Sequence, residues 1–164
     1  MMRDNTNKVI GLLLVTFIFC AGFGVPAQTQ ELSRGQTVYV PIYSSLVYGI
    51  TNEKGDMGAI PFANILSIRN IDIVHSIVIR SVKYYDADGN FLREEKNAQR
   101  ALGPLASTNV FVPPKDTTAG LGGSFIVEWE SEMQVNSPII EGINIYSLGV
   151  KMATFSSRGQ PIQK

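Results

Sequence analysis

Residues 64–85 read NILSIRNIDIVHSIVIRSVKYY, and nine of these 22 positions are Ile or Val. β-Branched side chains lose rotamer freedom in a helix and pack well on a pleated surface. The stretch therefore reads as strand, interrupted around His75. In its second half Ile77 and Ile79 put the apolar face on odd positions, whereas Val82 and Tyr84 put it on even ones. A one-residue slip exchanges the two faces of a strand, so a straight ladder cannot bury all four. The pattern predicts a β-bulge near Arg80-Ser81 that absorbs the extra residue.

Outward from this stretch the same alternation recurs. In Thr37 to Tyr43, Val38, Val40 and Ile42 alternate with Tyr39, Pro41 and Tyr43. Pro41 has no N–H, which places it at a sheet edge or a bulge. Further strand runs are Phe91 to Glu94, Thr108 to Val112, Phe125 to Glu130, Ile139 to Tyr146 and Val150 to Ser156. Turn chemistry separates them at Asp88-Gly89-Asn90, Pro113-Pro114, Gly120 to Gly123 and Asn136-Ser137-Pro138. Leu92 to Leu102 has helix-forming composition without an N-cap signal, and reads as a strand end plus loop. Seven or eight short strands predict an all-β fold, an immunoglobulin-like antiparallel β-sandwich over residues 35–164.

Composition limits what such a domain does. The chain has 164 residues with 14 Lys+Arg against 14 Asp+Glu, so no basic excess exists to hold nucleic acid. One His and one Cys cannot supply the usual zinc ligand sets. No cofactor is expected.

The N-terminus reads as an export signal over residues 1–27. Arg3 and Lys8 precede an almost continuously apolar run from Val9 to Phe23, and Val25-Pro26-Ala27 offers compact residues for a signal peptidase. Cleavage between Ala27 and Gln28 leaves a short linker, residues 28–34, and removes Cys20. Two other readings exist: Cys20 as a lipidation site, although bulky Phe19 precedes it, or an uncleaved anchor at the short end of bilayer-spanning length. Contact with a membrane is expected only under these two. Each reading places the domain outside the cytoplasm, the periplasm first.

Seven phrases in order carry a resemblance. They are Gly35-Gln36-Thr37-Val38-Tyr39-Val40-Pro41-Ile42-Tyr43-Ser44, Leu66-Ser67-Ile68-Arg69-Asn70-Ile71-Asp72, Val82-Lys83-Tyr84-Tyr85-Asp86-Ala87-Asp88-Gly89, Leu105-Ala106-Ser107-Thr108, Phe125-Ile126-Val127-Glu128-Trp129, Pro138-Ile139-Ile140-Glu141 and Ser157-Arg158-Gly159. Together they resemble the bacterial domain-of-unknown-function family 3124 over Ser33 to Ile162. The resemblance implies an exported or envelope-attached β domain and brings no activity, substrate or catalytic residue.

Candidate chemistry is sparse. His75 is the sole histidine base, and no G-x-S-x-G elbow accompanies it. Glu128, Glu130 and Glu132 alternate with Trp129 and Ser131, giving carboxylates about 6.6 Å apart along one strand face. Such a pair suits glycosidase chemistry only if burial raises one acid. Otherwise it is a solvated face, with Phe125, Val127 and Trp129 inward and Arg80 and Lys83 alongside. Asp86-Ala87-Asp88-Gly89-Asn90 fails the calcium-loop spacing and reads as a hairpin turn. Gly120-Leu121-Gly122-Gly123 fails as a phosphate loop and reads as a flexible connection. Met57, Met133 and Met152 lack a copper-binding spacing. Ser44 to Ile60 reads as a long loop whose Leu46, Val47, Tyr48 and Ile50 cap the core or form a contact surface.

The reading is a non-enzymatic binding or assembly module of the bacterial envelope. It meets an envelope protein or ligand through a pocket or edge strand, with Tyr39, Tyr43 and Tyr48 as the contact surface. The alternative is a small hydrolase of glycans or esters using Glu128/Glu130 or His75.

Overall fold

The computed structural model describes residues 32–51, 54–55, 57–148 and 150–163. The export signal, its Ala27-Gln28 junction and Cys20 lie outside the described residues. Within them the fold is all-β, and every strand pairing is antiparallel. In chain order the strands are β1 (Leu32–Pro41), β2 (Ser45–Thr51), β3 (Met57–Pro61), β4 (Ala63–Arg69), β5 (Ile77–Tyr85) and β6 (Phe91–Glu94). They continue with β7 (Ala101–Leu102), β8 (Ser107–Val112), β9 (Ser124–Asn136), β10 (Ile139–Leu148), β11 (Lys151–Arg158) and β12 (Gln160–Ile162).

One sheet runs β12-β1-β9-β5-β6, with β7 also on β5; a second runs β11-β10-β4-β8. Inward residues of both form one buried cluster, including Val40, Ile79, Val82, Tyr84, Phe125 and Val127 from the first sheet. Leu66, Ile68, Val112 and Ile140 come from the second. Tyr84 stacks on Phe125 at 4.8 Å, the favoured offset arrangement for buried rings.

The face switch in β5 is resolved as the alternation requires. Ile79 lies opposite Trp129 and Ser81 opposite Glu128, so Arg80 has no partner and the register shifts around it. Ile77 and Ile79 are buried before the bulge, Val82 and Tyr84 after it, and Arg80 is turned outward. Phe125, Val127 and Trp129 are likewise buried, while Glu130 and Glu132 are exposed.

Several expectations are corrected. Twelve strands are described rather than seven or eight. The expected loop from Ser44 to Ile60 contains the hairpin β2–β3, with Leu46 opposite Ile60 and both half-buried. Strand β1 begins at Leu32, inside the stretch read as a linker. After β6, the segment to Leu102 forms a short 3-10 turn, Lys96–Ala98, and then β7. Gly120–Gly122 is a 3-10 turn rather than a loose connection: the carbonyls of Gly120 and Gly123 accept the N–H groups of Ser44 (3.3 Å) and Ile42 (2.9 Å). Pro41 lies past the end of the β1–β12 pairing, which spans Thr37 to Tyr39. Its missing donor is therefore needed by no strand on that side.

The chain crosses from the second sheet to the first at Gly159, between β11 and β12. A Cβ there would meet Val38 Cγ1 at 2.7 Å and the Ile140 carbonyl oxygen at 2.8 Å. The backbone must approach this closely because Gly159 N–H donates to that same carbonyl at 2.8 Å. Gly159→Ala is expected to cost about 1–3 kcal/mol by overpacking. Urea unfolding of the variant beside wild type measures it; an unchanged midpoint would contradict the close approach.

Candidate functional site

The bulge places a charged group where the sheet surface turns concave. Arg80 pairs with Glu130 on the outer face of the first sheet. Beside it, Ser81 donates to the Glu128 carboxylate at 3.1 Å. On β1, Gly35 faces Glu130 across the ladder, where a Cβ would meet the Trp129 carbonyl oxygen at 2.8 Å. Around these residues opens a cleft of about 1110 Å³, bordered by β1, β5, β9, β12 and the β9–β10 turn. Arg80, Glu128 and Glu130 line it, together with Gln36, Arg158 and Gln160.

Arg80 sets the electrostatics of one carboxylate in the cleft. The hydrogen bond and charge of Arg80 hold Glu130 below the ordinary carboxylate range. A general acid needs the opposite shift. Arg158 is exposed and makes no ion pair among the described residues. The cleft thus offers two guanidiniums, two carboxylates and amide side chains, a mixed set of donors and acceptors.

His75 sits elsewhere, in the connection between β4 and β5. Its ring nitrogen Nδ1 lies 3.4 Å from Asp72 Oδ1. The Asp72 carboxylate accepts the N–H groups of Val74 (2.9 Å), His75 (2.8 Å) and Asn136 (3.2 Å). The His75 and Val74 N–H groups lower its pKa most, and despite some burial it falls to about 2. Asn70, buried, spreads its amide over the carbonyls of His75, Leu102 and Gly103 at 2.9, 3.1 and 2.9 Å. Its own oxygen accepts Asp72 N–H at 3.0 Å. Asn70 and Asp72 therefore organise the connection, and His75 belongs to that structural network. Among the described residues no group of three His, Cys, Asp or Glu is placed to hold a metal.

The three tyrosines are not brought together by any described contact. Tyr39 lies in mid-sheet, opposite Gln160 on one side and Ile126 on the other, so its backbone edges are already paired. Tyr43 is half-buried, donates its N–H to Asn144 Oδ1 at 3.0 Å and packs its ring 5.5 Å from Phe155. The side chain of Tyr48 lies outside what the structure describes. The hairpin reading of residues 86–90 holds: Asp86 Oδ1 accepts the N–H groups of Asp88 and Asn90, and Gly89 adopts φ 81°.

Cleft residues Gln36, Arg158 and Gln160 carry no motif that singles them out in the sequence. Only Ser157-Arg158-Gly159, a charge beside a glycine, marks the sheet crossing that brings Arg158 to the cleft.

A family model described as "Protein of unknown function (DUF3124)" matches residues 35–162. The chain belongs to this family. The match spans the cleft, the Asn70–Asp72 network and the sheet crossing, so all three fall within the DUF3124 domain. No curated protein matches the chain. Among solved structures, "Crystal Structure of Thermotoga maritima 1070" is similar at 8% identity and a TM-score of 0.39, covering 76% of this chain and 92% of that one.

Two titration outcomes follow from these contacts. Arg80→Gln is expected to return the Glu130 carboxyl upward toward the ordinary range, followed by NMR titration; an unmoved Glu130 would show the pair to be unimportant in solution. Asp72, depressed below its unfolded value of about 3.9, contributes stability that is complete above that value and lost as pH falls toward 2. Urea midpoints measured from pH 6 down to about pH 2 should fall less steeply in Asp72→Asn than in wild type. Parallel curves would contradict the role given to this carboxylate.

Proposed function

We propose that this protein is a non-enzymatic binding module of the bacterial envelope, an immunoglobulin-like β-sandwich exported by its N-terminal signal. The cleft between β1, β9 and β12 takes a polar, extended peptide segment of an envelope partner. The observation that carries this reading is the cleft itself: a large concavity lined by opposite charges and amides, with Glu130 held ionised rather than tuned as an acid. Side-chain recognition is favoured over strand addition at this edge. Strand β12 is three residues long and contains Pro161, which has no N–H to offer an added strand. Export is supported by the basic start, apolar run and compact exit of residues 1–27.

One observation favours the hydrolase reading, since Glu128 and Glu130 both line a concave surface. The Arg80 pairing opposes a general-acid role for Glu130, because it stabilises the charged form, and leaves Glu130 suited only to the base or nucleophile role.

Peptide and glycan arrays probed with wild type and Arg158→Glu separate these readings. Peptide binding weakened at least about tenfold, or 1.4 kcal/mol, by Arg158→Glu is expected. Binding indifferent to Arg158 would overturn the cleft as the ligand surface. Turnover of glycoside or ester substrates that disappears in Glu128→Gln would establish the hydrolase instead. Cell fractionation with mass spectrometry of the N-terminus tests the address, and a cytoplasmic chain that retains Met1 would contradict it.

A further inference from the structure

The connection 70–76 and the turn 103–106 form one rigid unit at the end of the molecule where β1 begins. Ala106 N–H donates to Gly103 O at 3.1 Å, closing the turn, and Leu105 N–H donates to Asp72 O at 3.2 Å. Asn70 binds the Gly103 carbonyl from the other side. Leu105 is the one non-glycine residue with positive φ among those described, at 59°. That backbone suits Gly or Asn, and a bulky side chain persists there only where its surroundings hold it. The side chains this frame holds up are apolar and in water: Ile73, Val74 and Leu105 are 75%, 66% and 69% exposed. None serves the core.

The N-terminal segment enters the fold at this same end. Asn136, whose N–H donates to Asp72 Oδ2, lies opposite Leu32, the first residue of β1. Where the N-terminal segment is retained as an anchor, nine residue steps separate Leu32 from Phe23 at the end of the apolar run, at most about 32 Å of extended chain. Opposite Arg34 the ladder is interrupted, and residues 131–134 of β9 bulge outward with Met133 exposed. The exposed charges here are Arg34 and Arg69 against Glu132, a basic excess of one.

We propose that this end of the domain rests on an anionic phospholipid bilayer, with Ile73, Val74 and Leu105 entering the boundary between headgroups and acyl chains. The proposal rests on the envelope address above and is independent of the cleft. The frame fixes the backbone that carries the three side chains, so little backbone freedom is lost on docking.

The test uses the full chain with vesicles of phosphatidylglycerol and phosphatidylethanolamine carrying brominated acyl chains. Tryptophan is placed by Val74→Trp at this end or by Val150→Trp at the β10–β11 hairpin, where Val150 is fully exposed at the other end of the second sheet. Emission added by Val74→Trp is expected to shift to the blue and lose roughly half its intensity to the brominated lipid, with Val150→Trp unaffected. An unquenched residue 74, or equal quenching at 74 and 150, overturns the proposal. So does a blue shift that grows with protein concentration in the absence of lipid, which would assign the surface to a second copy. The vesicle experiment reads the surface and fractionation reads the address, so failure of one is distinguishable from failure of the other.

Discussion

A strand that buries Ile77 and Ile79 on one side of residue 80 and Val82 and Tyr84 on the other must give up one residue to do it. The side-chain period of two allows no alternative. Everything around β5 follows from where that residue goes. The bulge sends Arg80 outward to Glu130 while Ser81 takes the place opposite Glu128. The central strand pair β5–β9 thus buries both of its apolar sets against the second sheet and carries an ordered polar pair on the opposite face. The concavity begins at that pair.

Polar groups do the corresponding work at the end of the sheets. A connection between two strands of different sheets carries backbone N–H and C=O groups that no ladder satisfies. Asn70 and Asp72 satisfy them, joining residues 72–75 to Leu102, Gly103 and Asn136. Such a network is costly to leave half-made and rigid when complete. Glycine supplies the other junction: at Gly159 the chain changes sheets within van der Waals range of Val38. The network and the crossing lie in two different phrases of the family pattern, Leu66 to Asp72 and Ser157 to Gly159, which assigns each of these a structural task.

Alternation made most of the fold legible. The runs around Val38, Ile65, Ile79, Phe91, Val110, Val127, Ile143 and Phe155 all became strands, and the bulge was readable because two apolar pairs disagreed in parity. The missing strands share a cause. β7 has two residues and β12 has three with a proline in the middle, so neither shows a period. The hairpin β2–β3 is rich in Gly and flanked by turn residues, which reads as loop. The candidate site was less legible, because a cleft is a property of packing. Glu128, Glu130 and Arg80 were visible as a charged strand face, but Arg158 and Gln160 reach it only through the crossing at Gly159. Asn70 and Asp72 stood in a recognisable phrase, yet Asn70 finds its carbonyl partners 32 and 33 residues away. Pro41, which has no N–H, suggests a sheet edge beside Tyr39 and Tyr43. The pairing of β12 with β1 removes that edge at Tyr39.

The cross-strand register of β5 against β9 tests this account most directly, through nuclear Overhauser contacts between backbone protons of the two strands. Close contacts are expected for Ile79 with Trp129 and for Ser81 with Glu128, and none that place Arg80 opposite a β9 residue. An uninterrupted ladder in which Arg80 faces Glu128 would contradict it, because Val82 and Tyr84 would then point into solvent.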